Sequence, residues 1–175
     1  SAPATGAFRP PPYAVTKTIY GVEGDINYDL LADLIAVGSP PSWASCLALV
    51  QYPWIDLTNN WGVRYLRPYP QMEEYGRELA ENVSKVALRC NTAGTNAEKR
   101  DCVVGLIQVG IDQYGAIQSS VIVNSADFPW GADGGNGQGH YWPILFAGIM
   151  LNNATLLAAY DKTLFHENGQ TFAVA

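Results

Sequence analysis

The stretch V-V-G-L-I-Q-V-G-I-D-Q-Y-G, from Val103 to Gly115, decides the fold class of this chain. Val103, Leu106, Ile107, Gly110, Ile111 and Tyr114 recur in steps of three and four, the period of a helix face and not of a strand. The helix this predicts runs from Ala97 to about Ser119. Gly105, Gly110 and Gly115 recur every five residues, a spacing that does not fall on one face. They read as separate points of close helix contact, each at a propensity cost of about 1 kcal/mol.

Working outward, Pro70 to about Arg89 predicts a second long helix. Met72, Tyr75, Leu79, Val83, Val86 and Ala87 recur at helical spacing, and Glu73, Glu74 and Glu78 sit toward the end where the dipole favours acids. Further upstream, Asn27 is placed to cap a helix carrying Leu30, Leu31, Leu34 and Ile35, ending near Gly38. Pro40 and Pro41 separate it from a run that Ser42 caps, with Ala44, Leu47, Ala48 and Gln51, stopping before Pro53. Residues 54–70 are an aromatic connector. Ser120 to Ser125 is either a short strand or a continuation of the preceding helix. A last helix is expected from about Trp142 to Tyr160. Residues 1–26, with Pro3, Pro10, Pro11 and Pro12, form an extended arm ahead of a single helical domain over 27–175. The expected fold is therefore mainly α: antiparallel helical hairpins, in a bundle or as part of an α/α toroid or array, with a proline-rich N-terminal arm.

Composition narrows the function. Charged residues make up 15% of the 175, against roughly 25% in ordinary soluble domains, yet there are five Trp and ten Tyr. Few charges with many amphipathic rings suit contact with another chain or with a sugar, and equally suit packing at the core edge. The formal charge is −6, with ten basic residues spread thinly, so the patch that would follow a nucleic-acid backbone is missing. No apolar run is long enough to span a membrane, because Asn152 and Asn153 interrupt the nearest one. The chain opens Ser1-Ala2-Pro3-Ala4, as a processed product would, and an extracytoplasmic location (secreted, periplasmic or at the cell surface) is expected.

Cys90 and Cys102 flank the polar segment N-T-A-G-T-N-A-E-K-R-D, a natural place for a short disulfide-closed loop worth roughly 3 kcal/mol. Cys46, in an apolar context, reads as a buried thiol. The three cysteines lack metal-ligand spacing, and neither a metal nor another cofactor is expected.

The segment W-G-A-D-G-G-N-G-Q-G-H-Y-W, Trp130 to Trp142, has the texture of a motif. Its glycines let backbone approach a ligand closely, and Asp133, Asn136, Gln138, His140 and Tyr141 lie between two tryptophans. Amides, a phenol, an imidazole and aromatic platforms suit a neutral or weakly charged sugar. The same loop also reads as a tight turn feeding the last helix. It is no dinucleotide fingerprint, since G-G-N-G-Q-G lacks the βαβ context, and no G-K-[ST] follows to make a phosphate loop. His140 could serve as acid or base in proton abstraction beside a sugar carboxylate, and Tyr141 as a phenolic donor. Asp127 and Asp133 could pair as in a glycoside hydrolase. Arg64 and Arg67 could orient a carboxylate. Each of these residues has a plain structural reading beside the functional one: packing, capping or snorkelling.

Together, Val103–Gly115 and W-G-A-D-G-G-N-G-Q-G-H-Y-W-P-I-L-F-A-G (Trp130 to Gly148) resemble parts of large secreted bacterial proteins with an α/α-toroid scaffold, that of several polysaccharide lyases and glucuronyl hydrolases. The resemblance covers roughly the second half of the chain. It implies an Asn, a His, a Tyr and an Arg around a substrate carboxylate, for which Asn136, His140, Tyr141 and Arg64 are the candidates. Trp130, Asp133, Gln138, Trp142 and Asp127 would bind the glycan. A full toroid needs more helices than this sequence supplies. The expectation is thus a carbohydrate-related module that binds a polysaccharide or cleaves it as a lyase. The alternative is a non-catalytic subunit that assembles with itself or with other chains.

Overall fold

The computed structural model describes residues 6–11, 16–52, 76–118, 138–161, 165 and 167. The described part is mainly α-helical: α1 (Trp43–Val50), α2 (Gly76–Cys90), α3 (Asn96–Ile117), α4 (Tyr141–Met150) and α5 (Ala154–Leu157). Among the described residues there is no strand, and β-pairing is limited to two isolated bridges, Ala7 with Val22 and Leu34 with Thr92.

The central helix α3 starts where local chemistry starts it. The Thr95 hydroxyl accepts from the Glu98 backbone N–H at 3.3 Å, and the Glu98 carboxylate accepts from the Thr95 N–H at 2.8 Å. This reciprocal capping box satisfies two donors that the first turn leaves orphaned. Ser42 caps α1 in the expected way, accepting from Ser45 N–H at 3.1 Å. From Cys102 to Ile117 nearly every residue of helix α3 is buried, as in the middle of a core. It packs against α1, α2 and α4, and α4 also packs on α5. The core that results joins Leu79, Val83 and Val86 of α2 to Leu106, Ile107 and Ile111 of α3 and to Ile144 and Met150 of α4.

The five-residue spacing of glycines in α3 has its explanation here. A Cβ on Gly105 would stand 2.7 Å from Val50 at the end of α1. One on Gly110 would overlap the Pro143 carbonyl in α4, and one on Gly115 would overlap the Pro11 ring in the arm. Three glycines therefore admit three different elements. The arm is part of this packing: Phe8, Tyr20 and Ile26 are buried in the same core as α3. Phe8 N–H also bonds the Gly21 carbonyl at 3.0 Å.

Two expected helices are corrected. The stretch 27–38 is not an α-helix. Asn27 does cap, accepting from Asp29 N–H at 3.1 Å, but only a single 3-10 turn, Tyr28–Leu30, follows. Asp33 then takes φ of 52°, in the left-handed region that a continuing helix excludes. Leu34 spends its backbone on a bridge, its N–H to Asn91 O and its carbonyl from Ala93 N–H, both at 2.7 Å. Of the predicted apolar stripe only Leu31 is buried, and the first expected hairpin is absent. The expected helix from Trp142 to Tyr160 is broken as well. Asn152 has φ of 47°, and Asn153 caps α5 by accepting from Thr155 and Leu156 N–H at 3.1 and 3.2 Å. A 3-10 turn, Ala158–Asp161, ends the segment. The connector 54–70, the start of the second expected helix and residues 120–125 lie outside the described residues.

The Cys90–Cys102 disulfide is also corrected: Cys46, Cys90 and Cys102 are free, buried thiols. Cys90 ends α2 and Cys102 lies in the second turn of α3, so the intervening segment is mostly helix and cap, not a loop that needs closing. The Cys102 thiol donates to the Trp43 carbonyl at 3.5 Å. Burial pushes Cys90 up to about 12 and Cys102 up to about 11, which keeps both protonated.

The contact at Gly110 is backbone against backbone, so it has little room to give. Gly110→Ala should lower stability by about 2 kcal/mol or more despite the better helix propensity of alanine. Gly24→Ala, where an added Cβ meets nothing within 4 Å, should stay within about 0.5 kcal/mol of wild type. Thermal unfolding of the two variants side by side checks this.

Candidate functional site

Two hollows border the helical core. The smaller, about 200 Å³, sits where α2 meets the start of α4 and is lined by Ala80, Val83, Ser84, Gln138, Gly139, Trp142 and Glu167. Gly139 has φ of 87° and lies so close to the Ala80 backbone that a Cβ would stand 2.6 Å from its nitrogen. Only glycine fits there, which accounts for one glycine of the expected motif. One carboxylate oxygen of Glu167 accepts from Gly139 N–H at 2.9 Å and from Tyr141 N–H at 3.3 Å, holding the N-terminus of α4. This is the usual preference of an acid for a helix start.

The structure brings Gln138 and Trp142 together on this hollow. His140 does not open onto it: the residue is 4% exposed. The Tyr141 ring stacks on Phe165 with centroids 4.7 Å apart. Trp130, Asp127, Asp133, Asn136, Arg64 and Arg67 lie outside the described residues.

The larger hollow is a cleft of about 740 Å³ between the arm, the C-terminal end of α1 and one face of α3. Leu47 and Val50 of α1 and Val104 and Val109 of α3 supply its apolar lining. Arg9, Gln51, Tyr52, Arg100, Asp101, Gln108 and Asp112 supply polar groups. Gly105 forms part of the lining, so the glycine that lets α1 approach also leaves the wall bare of a side chain.

The polar groups are ordered by one another. Gln108 grips the Arg9 backbone at both ends, its Oε1 accepting from Arg9 N–H and its Nε2 donating to the Arg9 carbonyl, each at 2.9 Å. The same Nε2 donates to Asp112 Oδ1 at 3.0 Å. Asp112 Oδ2 pairs with the Arg9 guanidinium. The Asp112 side chain is fully buried, whereas that of Arg9 is 38% exposed. Burial raises the Asp112 carboxyl to about 6, with Arg9 and then the Gln108 amide pulling the other way. Arg100, at the other side of the cleft, bonds Glu23 through Nη2 at 2.8 Å and Asp101 through Nη1 at 2.6 Å. The Arg100 guanidinium holds Glu23 below the usual carboxylate range. Each cation of the cleft is thus matched by a neighbouring acid. Among the described residues no cluster of His, Cys, Asp and Glu could hold a metal ion.

Sequence reasoning passed over this cleft. Its signal was there in part: Gln108 and Asp112 stand one turn apart in the mostly apolar stretch 102–117, a polar pair that the core alone does not ask for. Nothing local pointed to Arg9, about a hundred residues away.

No family model matches the chain, and no solved structure matches it. Among curated proteins it is similar to a queuine tRNA-ribosyltransferase of Ruminiclostridium cellulolyticum, with 34% identity over 79 residues. That likeness covers 45% of this chain and 21% of the enzyme, so the chain spans about a fifth of that relative's length. The described residues define a helical fold with an ordered polar cleft.

A carboxyl whose folded value lies above its ordinary one stabilises the fold at low pH and loses that contribution as pH rises through the folded value. For Asp112 the window is therefore pH 4 to 6, with stability falling as pH rises, by on the order of 3 kcal/mol. Unfolding free energies of wild type and Asp112→Asn, measured across pH 3.5 to 8, should differ by an amount that changes in this window and is flat outside it.

Proposed function

We propose that this chain is a carbohydrate-binding module and that the 740 Å³ cleft is its saccharide site. The observation that carries the reading is the mixed lining of the cleft, in which apolar Leu47, Val50, Val104 and Val109 stand among planar polar groups, Gln51, Tyr52, Arg9 and Arg100. A sugar ring combines the same two characters, C–H faces bounded by hydroxyls, and an amide, guanidinium groups and a phenol bond such hydroxyls in fixed directions. Tyr52, 58% exposed, offers the platform. The volume lies within the range of small-molecule sites. The pairing of each cation with an acid leaves no large uncompensated charge to demand a polyanion.

Binding fits this geometry better than cleavage. Both oxygens of Asp112 are engaged and the side chain is fully buried. His140, at 4% exposure, does not reach an open surface from which a polymer could present its reacting carbon. The lyase roles of His140, Tyr141, Asn136 and Arg64, and the toroid scaffold that implied them, belong to the cleaving variant of the same carbohydrate reading. The partial likeness to a tRNA-ribosyltransferase does not lead us to a tRNA partner, because the chain carries a net charge of −6 and its ten basic residues are scattered.

Calorimetric titration with a panel of neutral and uronate-containing oligosaccharides tests the proposal. At least one should bind, and Tyr52→Ala should weaken it roughly five- to tenfold, the effect of about 1–1.4 kcal/mol of lost ring contact. If no sugar in the panel moves the backbone amide resonances of Gln51, Tyr52 or Gln108 at millimolar concentration, the reading is wrong.

A second reading, self-assembly, has its own observation. Ile35 is 90% and Val37 99% exposed, and Leu30 and Leu34 beside them are exposed too. An apolar run of this kind in contact with water is unusual for an isolated chain. If copies cover one another there, light scattering will give a mass that is a multiple of 19.0 kDa, and Ile35→Asp with Val37→Asp will return it to the monomer value. A monomer at high concentration removes this reading and leaves the saccharide site untouched.

A further inference from the structure

The cleft holds an arginine whose backbone is fixed without help from its acidic partner. Gln108 fixes the Arg9 backbone from both sides at 2.9 Å. Phe8, the residue before it, is 1% exposed, and Pro11, two residues after it, is seated against Gly115. Arg9 would therefore stay in the cleft even if the charge of Asp112 were removed. The charged and titratable groups around it are Tyr52 after α1 and Arg100, Asp101 and Asp112 of α3. Arg100 is already matched by Glu23 and Asp101. Asp112 is the group in an uncomfortable place: a carboxylate in a side chain with no solvent exposure, held by one guanidinium and one amide. Arg9, by contrast, lines the cleft with a side chain that is 38% exposed. A guanidinium fork accepts any carboxylate that meets it in plane.

We propose that the saccharide bound in this cleft is a uronate, whose carboxylate replaces that of Asp112 on Arg9 while Asp112 takes up a proton from solvent. The inference rests on the cleft being a saccharide site and names the class of sugar. The exchange balances. One anion enters, one proton enters, and the net charge of the cleft is unchanged. The proton goes to Asp112 Oδ2, the oxygen that Arg9 leaves, while Oδ1 keeps the Gln108 N–H. The buried acid becomes neutral, which is the form its surroundings favour, and the ligand's charge takes the more exposed position on Arg9. A singly charged carboxylate suits this exchange one for one. A doubly charged anion would leave a surplus negative charge beside Asp101.

The test is calorimetry of the intact chain with glucuronate, its methyl ester and acetate, in buffers of different ionisation heat, from pH 5 to 8. At pH 7.5 glucuronate should bind with uptake of about one proton, and its affinity should fall about tenfold for each pH unit above 6 and level off below. The methyl ester should bind with neither proton uptake nor pH dependence. Asp112→Asn should bind glucuronate with the affinity that wild type shows at low pH, constant across the range. Because proton uptake is read on wild type, the test survives if that variant folds poorly. Glucuronate and its ester binding alike, without proton uptake, overturns the exchange and leaves the saccharide site standing. Acetate binding as tightly as glucuronate shows a simple anion site and overturns both. Absence of binding by all three overturns the uronate assignment, and the wider sugar panel then decides the saccharide site by itself.

Discussion

A helix with fifteen of its 22 residues buried has no solvent side to spare, and everything packed around α3 must meet it at close range. Backbones can approach to within a few ångströms only where no side chain intervenes. Gly105, Gly110 and Gly115 supply those positions for α1, α4 and the arm in turn. If any one of them carried a larger side chain, the element opposite would have to withdraw, and the shared core with it. The arrangement also explains why glycine, poor in helix propensity, is tolerated three times in one helix: tertiary contact outweighs a local cost of about 1 kcal/mol each.

The same crowding governs the polar residues of α3. Lys99 is buried, and its ammonium bonds Asp33 at 2.9 Å. Asp33 is the residue whose left-handed backbone lies between the 3-10 turn and the Leu34 bridge. Asp112 reaches Arg9, and the Gln108 amide ties both to the arm. These links hold the N-terminal quarter of the described chain to the central helix by ionic and amide contacts as well as by Phe8. They also shape the large cleft, because an arm held at Arg9 leaves open the space between itself and α1. The proposed binding and the structure thus draw on the same few side chains. A buried carboxylate so placed is costly for the fold and useful to a ligand that can relieve it.

The cysteines show how a reasonable local argument goes astray. Loop closure between Cys90 and Cys102 has the right length for a stabilising disulfide. The segment between them is instead organised by the Thr95–Glu98 box and by the Leu34 bridge to residues 91–93. Both thiols point into the helix interface, along with Cys46, and behave as small apolar side chains. Spacing along the chain carried no information about which way the thiols face.

What the sequence determined by itself is what depends on neighbours within a turn or two. The apolar period of Val103–Gly115 made α3 a helix, the Ser42 hydroxyl began α1, and the off-face glycines announced several separate contacts. Even Asn27 was correctly seen as a cap, although the turn it begins is short. Tertiary structure alone decided the rest. It left Leu34 and Ile35 outside the core, let Asn152 and Asn153 split the last helix, kept three thiols apart as free groups, and brought Arg9 to Gln108 and Asp112. The physical reason is distance along the chain. Periodicity and capping act between residues three or four apart, whereas the bonds that build the cleft join positions 99 and 103 residues apart, and no local pattern marks such a pair before the chain has folded.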